Sequence, residues 1–192
     1  MGGLLAILRG LGAANAAALA AGRAVGVVCM ALMVVFILVQ VFWRYVLSNP
    51  LAWPEEAARF GMLWLMVVAP TALRRGGFVA IDMIQLFLPR LVGALLTLAL
   101  LGLSLVILVV AVRIGWAEVT GFSGRFDTSA LYYPSGGGWE KVPRSWMMAS
   151  LLVAFAMMVS VTVELILRQM VVLAGQGEAL PVIPHQANVG AE

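Results

Sequence analysis

Residues Leu91–Val112 read LVGALLTLALLGLSLVILVVAV, an uncharged run of 22 residues between Arg90 and Arg113, with Pro89 just before it. A helix rises about 1.5 Å per residue, so this run reaches about 33 Å and crosses a hydrocarbon core about 30 Å thick. The rest of the chain agrees with that setting. Of its 192 residues, 63% are hydrophobic and 11% charged, against roughly 25% charged in a soluble domain. A soluble fold of this size has too little polar surface to cover so much apolar side chain. Disordered chains are poor in apolar residues, so disorder of the whole chain is excluded as well.

Measured between charged residues, three further runs qualify as spans. Ala24–Trp43 is an uncharged run of 20 residues between Arg23 and Arg44. Ser145–Val163 has 19 and extends to Arg168, with Glu164 near its end. Phe60–Leu73 has only 14, too few alone. Trp53-Pro54-Glu55-Glu56 precedes it, however, and Pro in the first turn followed by acids is a helix-start pattern. A helix from Pro54 to about Arg74 would reach about 30 Å, with Pro70 a candidate kink. The sequence therefore predicts an all-α integral membrane protein with four transmembrane helices, over about 24–46, 54–75, 90–114 and 144–168.

The remaining segments are expected to be peripheral. Residues 1–22 are rich in Ala and Gly and interrupted by Arg9. They are expected as an interfacial or frayed N-terminal segment, in preference to a cleaved signal peptide. Phe78–Pro89 is too short to span and fits a short interfacial helix between the second and third spans. Ile114–Arg144 is the longest loop, with Gly136-Gly137-Gly138 and the aromatics Trp116, Phe122, Tyr132, Tyr133 and Trp139, which suit a membrane interface. Residues 171–192 are expected as a disordered tail, and 23–170 as the membrane domain. Positive charge does not orient the chain, since the two sides carry six Lys/Arg each on this layout.

The same census excludes several kinds of chemistry. The net charge is +3, but the basic residues punctuate apolar runs and form no stripe that could track nucleic acid. One cysteine, Cys29, and one histidine, His185, are too few for a disulfide, a Cys/His zinc site, a bis-histidine haem or a Ser-His-Asp triad. No catalytic, metal or substrate residue is expected, and the chain is read as a non-enzyme. The spans are nearly free of ionisable groups; Gln40, Thr97, Ser104 and Ser160 are isolated, and Glu164 and Arg168 are spaced to pair. A transport pathway normally leaves polar groups in mid-membrane, and paired broken helices mark a substrate site; neither is visible. Gly22-x-x-x-Gly26 and Ala156-x-x-x-Ser160 permit close helix approach.

The densest polar stretch is Arg44–Arg59, RYVLSNPLAWPEEAAR. Glu55 and Glu56 lie four and three residues before Arg59, so either can meet it on one helix face. Arg44 is expected to reach Glu55 or Glu56 across the turn. Such a cluster is either an exposed set of ion pairs, worth about 0–1 kcal/mol each, or a buried hairpin end that docks on a partner.

The wider segment Val41–Ile84 carries Arg44-Tyr45, Pro50 and Trp53, Glu55-Glu56 with Arg59-Phe60, Arg74-Arg75 and Ile81-Asp82. Further on stand Thr128-Ser129-Ala130-Leu131 and Val142-Pro143. In order and spacing these resemble the small membrane subunit of tripartite ATP-independent periplasmic (TRAP) transporters, the DctQ-type permease family, over roughly 24–168. Phe78, Ala69-Pro70 and the three glycines depart from the family's usual pattern. The resemblance implies a scaffold in the bacterial inner membrane with both termini cytoplasmic. Its implied partners are a large membrane subunit, which holds the sodium and substrate sites, a transient periplasmic binding protein that delivers an organic acid, and lipid. It implies no cofactor in this chain and no nucleic acid. Arg44, Tyr45, Trp53, Glu55, Glu56, Arg59, Arg74 and Asp82 are then the candidate structural or interface residues. Two other readings remain: the membrane anchor of a redox enzyme, which the scarcity of His and Cys disfavours, and a stand-alone small oligomeric exporter.

Overall fold

A computed structural model describes residues 2–75, 89–135 and 138–174. The short interfacial helix expected over 78–89, Phe78 and Asp82 within it, and the tail beyond 174 lie outside the described residues. Among the described residues, four helical stretches are long and apolar enough to cross a membrane.

Helix α1 runs unbroken from Gly2 to Tyr45. Residues 2–22, expected as a segment of their own, are its first turns, because alanine is the strongest helix former and nothing in the stretch breaks the ladder. The helix ends where Ser48 takes a left-handed backbone (φ 51°) and Pro50 forbids continuation. The second crossing begins with α2, Trp53–Trp64, with Pro54 buried in its first turn beside Glu55 and Glu56. A 3-10 stretch, Leu65–Val68, follows, and α3, Ala69–Arg74, completes the crossing. The irregular stretch falls just before Pro70, which has no amide hydrogen to return to the carbonyl four residues earlier.

Helix α4 spans Arg90–Thr120, well past the Arg113 that bounds the apolar run. One arginine does not stop a helix whose end lies at the membrane surface, because its long stem carries the charge out to the headgroups. The expected loop is therefore shorter than the charge boundaries suggest, and most of it is folded. Strands β1, Asp127–Ser135, and β2, Gly138–Pro143, form an antiparallel hairpin. Tyr132 pairs with Lys141, Tyr133 with Glu140 and Pro134 with Trp139, while Asp127 pairs with Pro143. Thr128–Leu131 therefore bulges opposite Val142. Helix α5, Ser145–Leu173, is the last crossing.

Two compact units divide these elements: one gathers the chain up to Ala20, Ala69–Val110 and Phe155 onward, the other Ala21–Val68 and Ala111–Ala154. In lipid there is little hydrophobic drive between helices, so small residues and polar contacts decide where they meet. The first unit has an apolar kernel of Leu19, Leu73 and Val161, against which Met157, Met158 and Leu165 pack. In the second unit Gly26 of α1 is buried, and a Cβ there would stand 2.2 Å from Val68 Cγ2. The second glycine of the Gly22-x-x-x-Gly26 spacing is thus a point of close helix approach.

Candidate functional site

Among the described residues, each unit has a polar cluster built by a carboxylate that reaches far in sequence. In the second unit, Glu56 stands in the first turn of α2. Its carboxylate accepts the backbone N–H of Ser129, at 2.8 Å, and that of Ala130. Both amides belong to the bulge, where they are turned away from the β2 ladder. Thr128 Oγ1 closes the bulge from inside, donating to the carbonyl of Val142 at 2.8 Å. An acid in the first turn of α2 thereby holds the hairpin, and the Glu-Glu and Thr-Ser-Ala-Leu motifs meet directly across more than 70 residues of chain.

Glu55 points elsewhere. It pairs with Arg59 one turn on and receives Gln40 Nε2 at 3.4 Å. The Glu55–Arg59 pair is solvent-facing, with side chains 53% and 72% exposed, so its worth is about 0–1 kcal/mol. Arg44 does not close this cluster. It is exposed and lies over the ring of its neighbour Tyr45, 6.0 Å from the centroid, with no ion pair to Glu55 or Glu56. The turn Val46–Ala52 carries Arg44 away from the start of α2, so the expected four-residue network reduces to one ion pair and one backbone clasp. Trp53 packs edge-on against Phe36 of α1, with ring centroids 5.9 Å apart, and Tyr45 is exposed.

The first unit holds the buried charges. Glu164 of α5 is fully buried. Its Oε1 accepts Arg74 Nη2 at 2.8 Å, Arg168 Nη2 at 3.0 Å and Arg168 Nε at 3.1 Å. Its Oε2 accepts Asn15 Nδ2 at 2.8 Å. Asn15 Oδ1 in turn accepts Ser160 Oγ at 2.6 Å, and Arg74 Nη2 also donates to the carbonyl of Gly12 at 2.8 Å. A Cβ on Gly12 would come within 3.3 Å of Glu164 Oε1, so a side chain there would require the carboxylate to shift by a few tenths of an ångström. Oε1 thus receives three N–H groups and Oε2 one, and the buried carboxylate ties α1, α3 and α5 together.

The pairing of Glu164 with Arg168 follows from their spacing, and Arg74 was a candidate on motif alone. Asn15 and Gly12 were missed. The available signal was that Asn15 is an amide inside an Ala-rich apolar stretch, and an isolated polar group at such a position needs a partner. Tyr133, on the hairpin, donates its hydroxyl to Glu140 at 3.0 Å. That hydrogen bond, reinforced by the negative charge of Glu140, raises the phenol above its ordinary value.

The sequence-family model described as tripartite ATP-independent periplasmic transporters, DctQ component, matches residues 33–171. No curated protein is matched by the chain. The match takes in Glu56, the hairpin, Arg74, Glu164 and Arg168, whereas Gly12 and Asn15 precede it.

Proposed function

Because this chain belongs to the DctQ family of tripartite ATP-independent periplasmic (TRAP) transporter components, we propose that it works as the fixed scaffold of such a transporter, with the moving and transporting parts in a large partner subunit. The family is one of transporter components, and the chain is a multi-pass membrane protein with four membrane-crossing helices. One observation carries the scaffold reading. The fully buried carboxylate Glu164 receives N–H groups from Arg74, Arg168 and Asn15, so it ties three helices together as a structural charge.

In this reading the large subunit binds sodium and an organic acid, and a periplasmic binding protein delivers the acid. The complex sits in the bacterial inner membrane, with both termini of this chain in the cytoplasm. The hairpin held by Glu56 is then on the periplasmic side, where Arg44, Tyr45, Trp53 and Arg59 also lie, as a rim available to a partner. The test is purification of the tagged chain from native membranes in mild detergent, with uptake measured in parallel. A large polytopic protein recovered in constant ratio, and loss of sodium-dependent organic-acid uptake on deleting this chain, are the expected results. Recovery of the chain alone as a defined oligomer that transports in liposomes would overturn the reading in favour of a stand-alone exporter.

A further inference from the structure

The hairpin β1–β2 meets two different crossings, each at its first turn. At the bulge, the backbone N–H groups of Ser129 and Ala130 donate to the Glu56 carboxylate in the first turn of α2. Three residues on, the ring of Tyr133 lies against Trp146, the second residue of α5, with centroids 5.6 Å apart. The Tyr133 hydroxyl donates to Glu140, its cross-strand neighbour, at 3.0 Å, which ties the ring to β2. The base of the hairpin is fixed to α5 as well. Only Arg144 separates β2 from α5, and its N–H donates to the carbonyl of Phe126 at 2.8 Å, closing the hairpin where the helix starts. A hairpin that stood out from the helices would touch them only at its base. Here the bulge and Tyr133 touch helix starts too, so β1 runs across them.

We propose that the hairpin is a strap that sets the spacing between the starts of the second and fourth crossings, with Glu56 holding its detachable end. Ala130–Tyr133 covers about 10 Å of extended strand, close to the interaxial distance of two packed helices. Among the described residues, the side-chain hydrogen bonds and ion pairs of α2 go to Gln40 of α1, to β1 or within α2 itself, and none goes to α5. The polar tie between these two crossings therefore runs through the hairpin. Its two ends differ in strength. At α5 the strap is continuous with the chain and packed ring on ring; at α2 it is two hydrogen bonds to one carboxylate, and Ser129 there is exposed. A two-stranded hairpin is marginal by itself in water, so it keeps this position only while both ends hold. Freed from Glu56, β1 stays with α5, and α2 loses its tie to the fourth crossing. All these contacts lie within one compact unit, and the inference does not depend on the transport reading.

The test is an electron paramagnetic resonance distance measurement on the full chain, with whatever partner co-purifies, in mild detergent. Nitroxide labels stand at Arg59→Cys on α2 and Val153→Cys on α5, both exposed positions, and Cys29→Ala removes the native thiol. A control pair joins Arg59→Cys to Val34→Cys on α1, which meets α2 through Phe36 and Trp53 and not through the hairpin. Glu56→Ala should broaden the α2–α5 distribution toward longer distances and leave the α1–α2 distribution as it was. Tyr133→Ala should do the same from the other end of the strap. Glu56→Gln, which keeps one acceptor oxygen for one of the two amides, should fall between Glu56→Ala and the native chain. An α2–α5 distribution unchanged in both alanine variants would overturn the strap and leave Glu56 as a holder of the hairpin alone. An equal change in the control pair would overturn it too, because the whole unit would then have loosened. If Glu56→Ala does not fold, Tyr133→Ala and Ser129→Pro, which deletes one donor at a bulge where proline is tolerated, decide the matter.

Discussion

Replacing Glu164 with Gln keeps the shape of the side chain and removes its charge. The side chains of Arg74 and Arg168 are only 12% and 13% exposed, and Glu164 is not exposed at all. The substitution therefore leaves two largely buried guanidiniums facing an amide that offers one acceptor oxygen where the carboxylate offered two. Stranding a buried charge costs about 3–5 kcal/mol, and each hydrogen bond to a charged partner is worth about 1.5–3 kcal/mol. Polar contacts between helices in lipid run smaller, about 0.6 kcal/mol on average, because the unfolded chain also finds partners there. Two arginines losing one shared counter-ion place the expected loss near the lower end of the buried range, about 3 kcal/mol. For a chain of this length that is roughly 6–12 °C in the midpoint of thermal unfolding. The measurement is intrinsic tryptophan fluorescence of the detergent-solubilised protein on heating, with Arg59→Gln as the internal contrast. Arg59 belongs to the exposed pair with Glu55 and should lower the midpoint by no more than about 4 °C. If Glu164→Gln shifts the midpoint no further than Arg59→Gln does, the cluster is solvated and its structural role is wrong.

Three further outcomes follow from the geometry. Glu56→Ala should release the hairpin, and hydrogen exchange at the Ser129 and Ala130 amides should accelerate by about 10- to 150-fold, the equivalent of losing about 1.5–3 kcal/mol of charge-assisted bonding; unchanged exchange there would refute the clasp. Gly26→Ala should destabilise by about 1–3 kcal/mol through overpacking against Val68, and Val68→Ala in the same chain should restore most of it; two effects that simply add would show that the residues do not meet. In an ultraviolet titration of the phenols, Tyr133 should ionise above the ordinary 10.0. Because its folded value is raised, the Tyr133–Glu140 contact is present below that pH and is lost as pH rises through the folded value. Tyr133→Phe should delete this late step and Glu140→Gln should move it back; a titration unaltered by Glu140→Gln would refute the contact.

The crossings were legible because uncharged runs of membrane length have few other meanings. Charge boundaries place their ends less well, since α4 continues through Arg113 to Thr120. The hairpin reads as a loop in the sequence because Thr128–Leu131 bulges, so no alternation of apolar and polar residues survives to mark the strands. Glu55 and Glu56 were visible as a pair, but adjacent residues on a helix face different ways. Only the fold shows that one meets Arg59 while the other takes backbone amides 73 and 74 residues away. Arg44 was assigned to this cluster on proximity in sequence, and the intervening turn defeats that. Spacing rules reach one helical turn, which found Glu164 with Arg168. They cannot find Asn15, 149 residues from Glu164, whose signal was its solitary polarity.

That separation has a consequence for how the protein is made. The chain leaves the ribosome N-terminus first, at about 5–20 residues per second. Gly12 and Asn15 emerge early and Arg74 follows, but Glu164 comes 90 residues after Arg74, about 5–18 s later at that rate. Until the fourth crossing inserts, Arg74 and Asn15 lack the Glu164 carboxylate that binds both. Closure of the Glu164 network therefore coincides with completion of the last crossing, and a chain truncated before Glu164 never closes it.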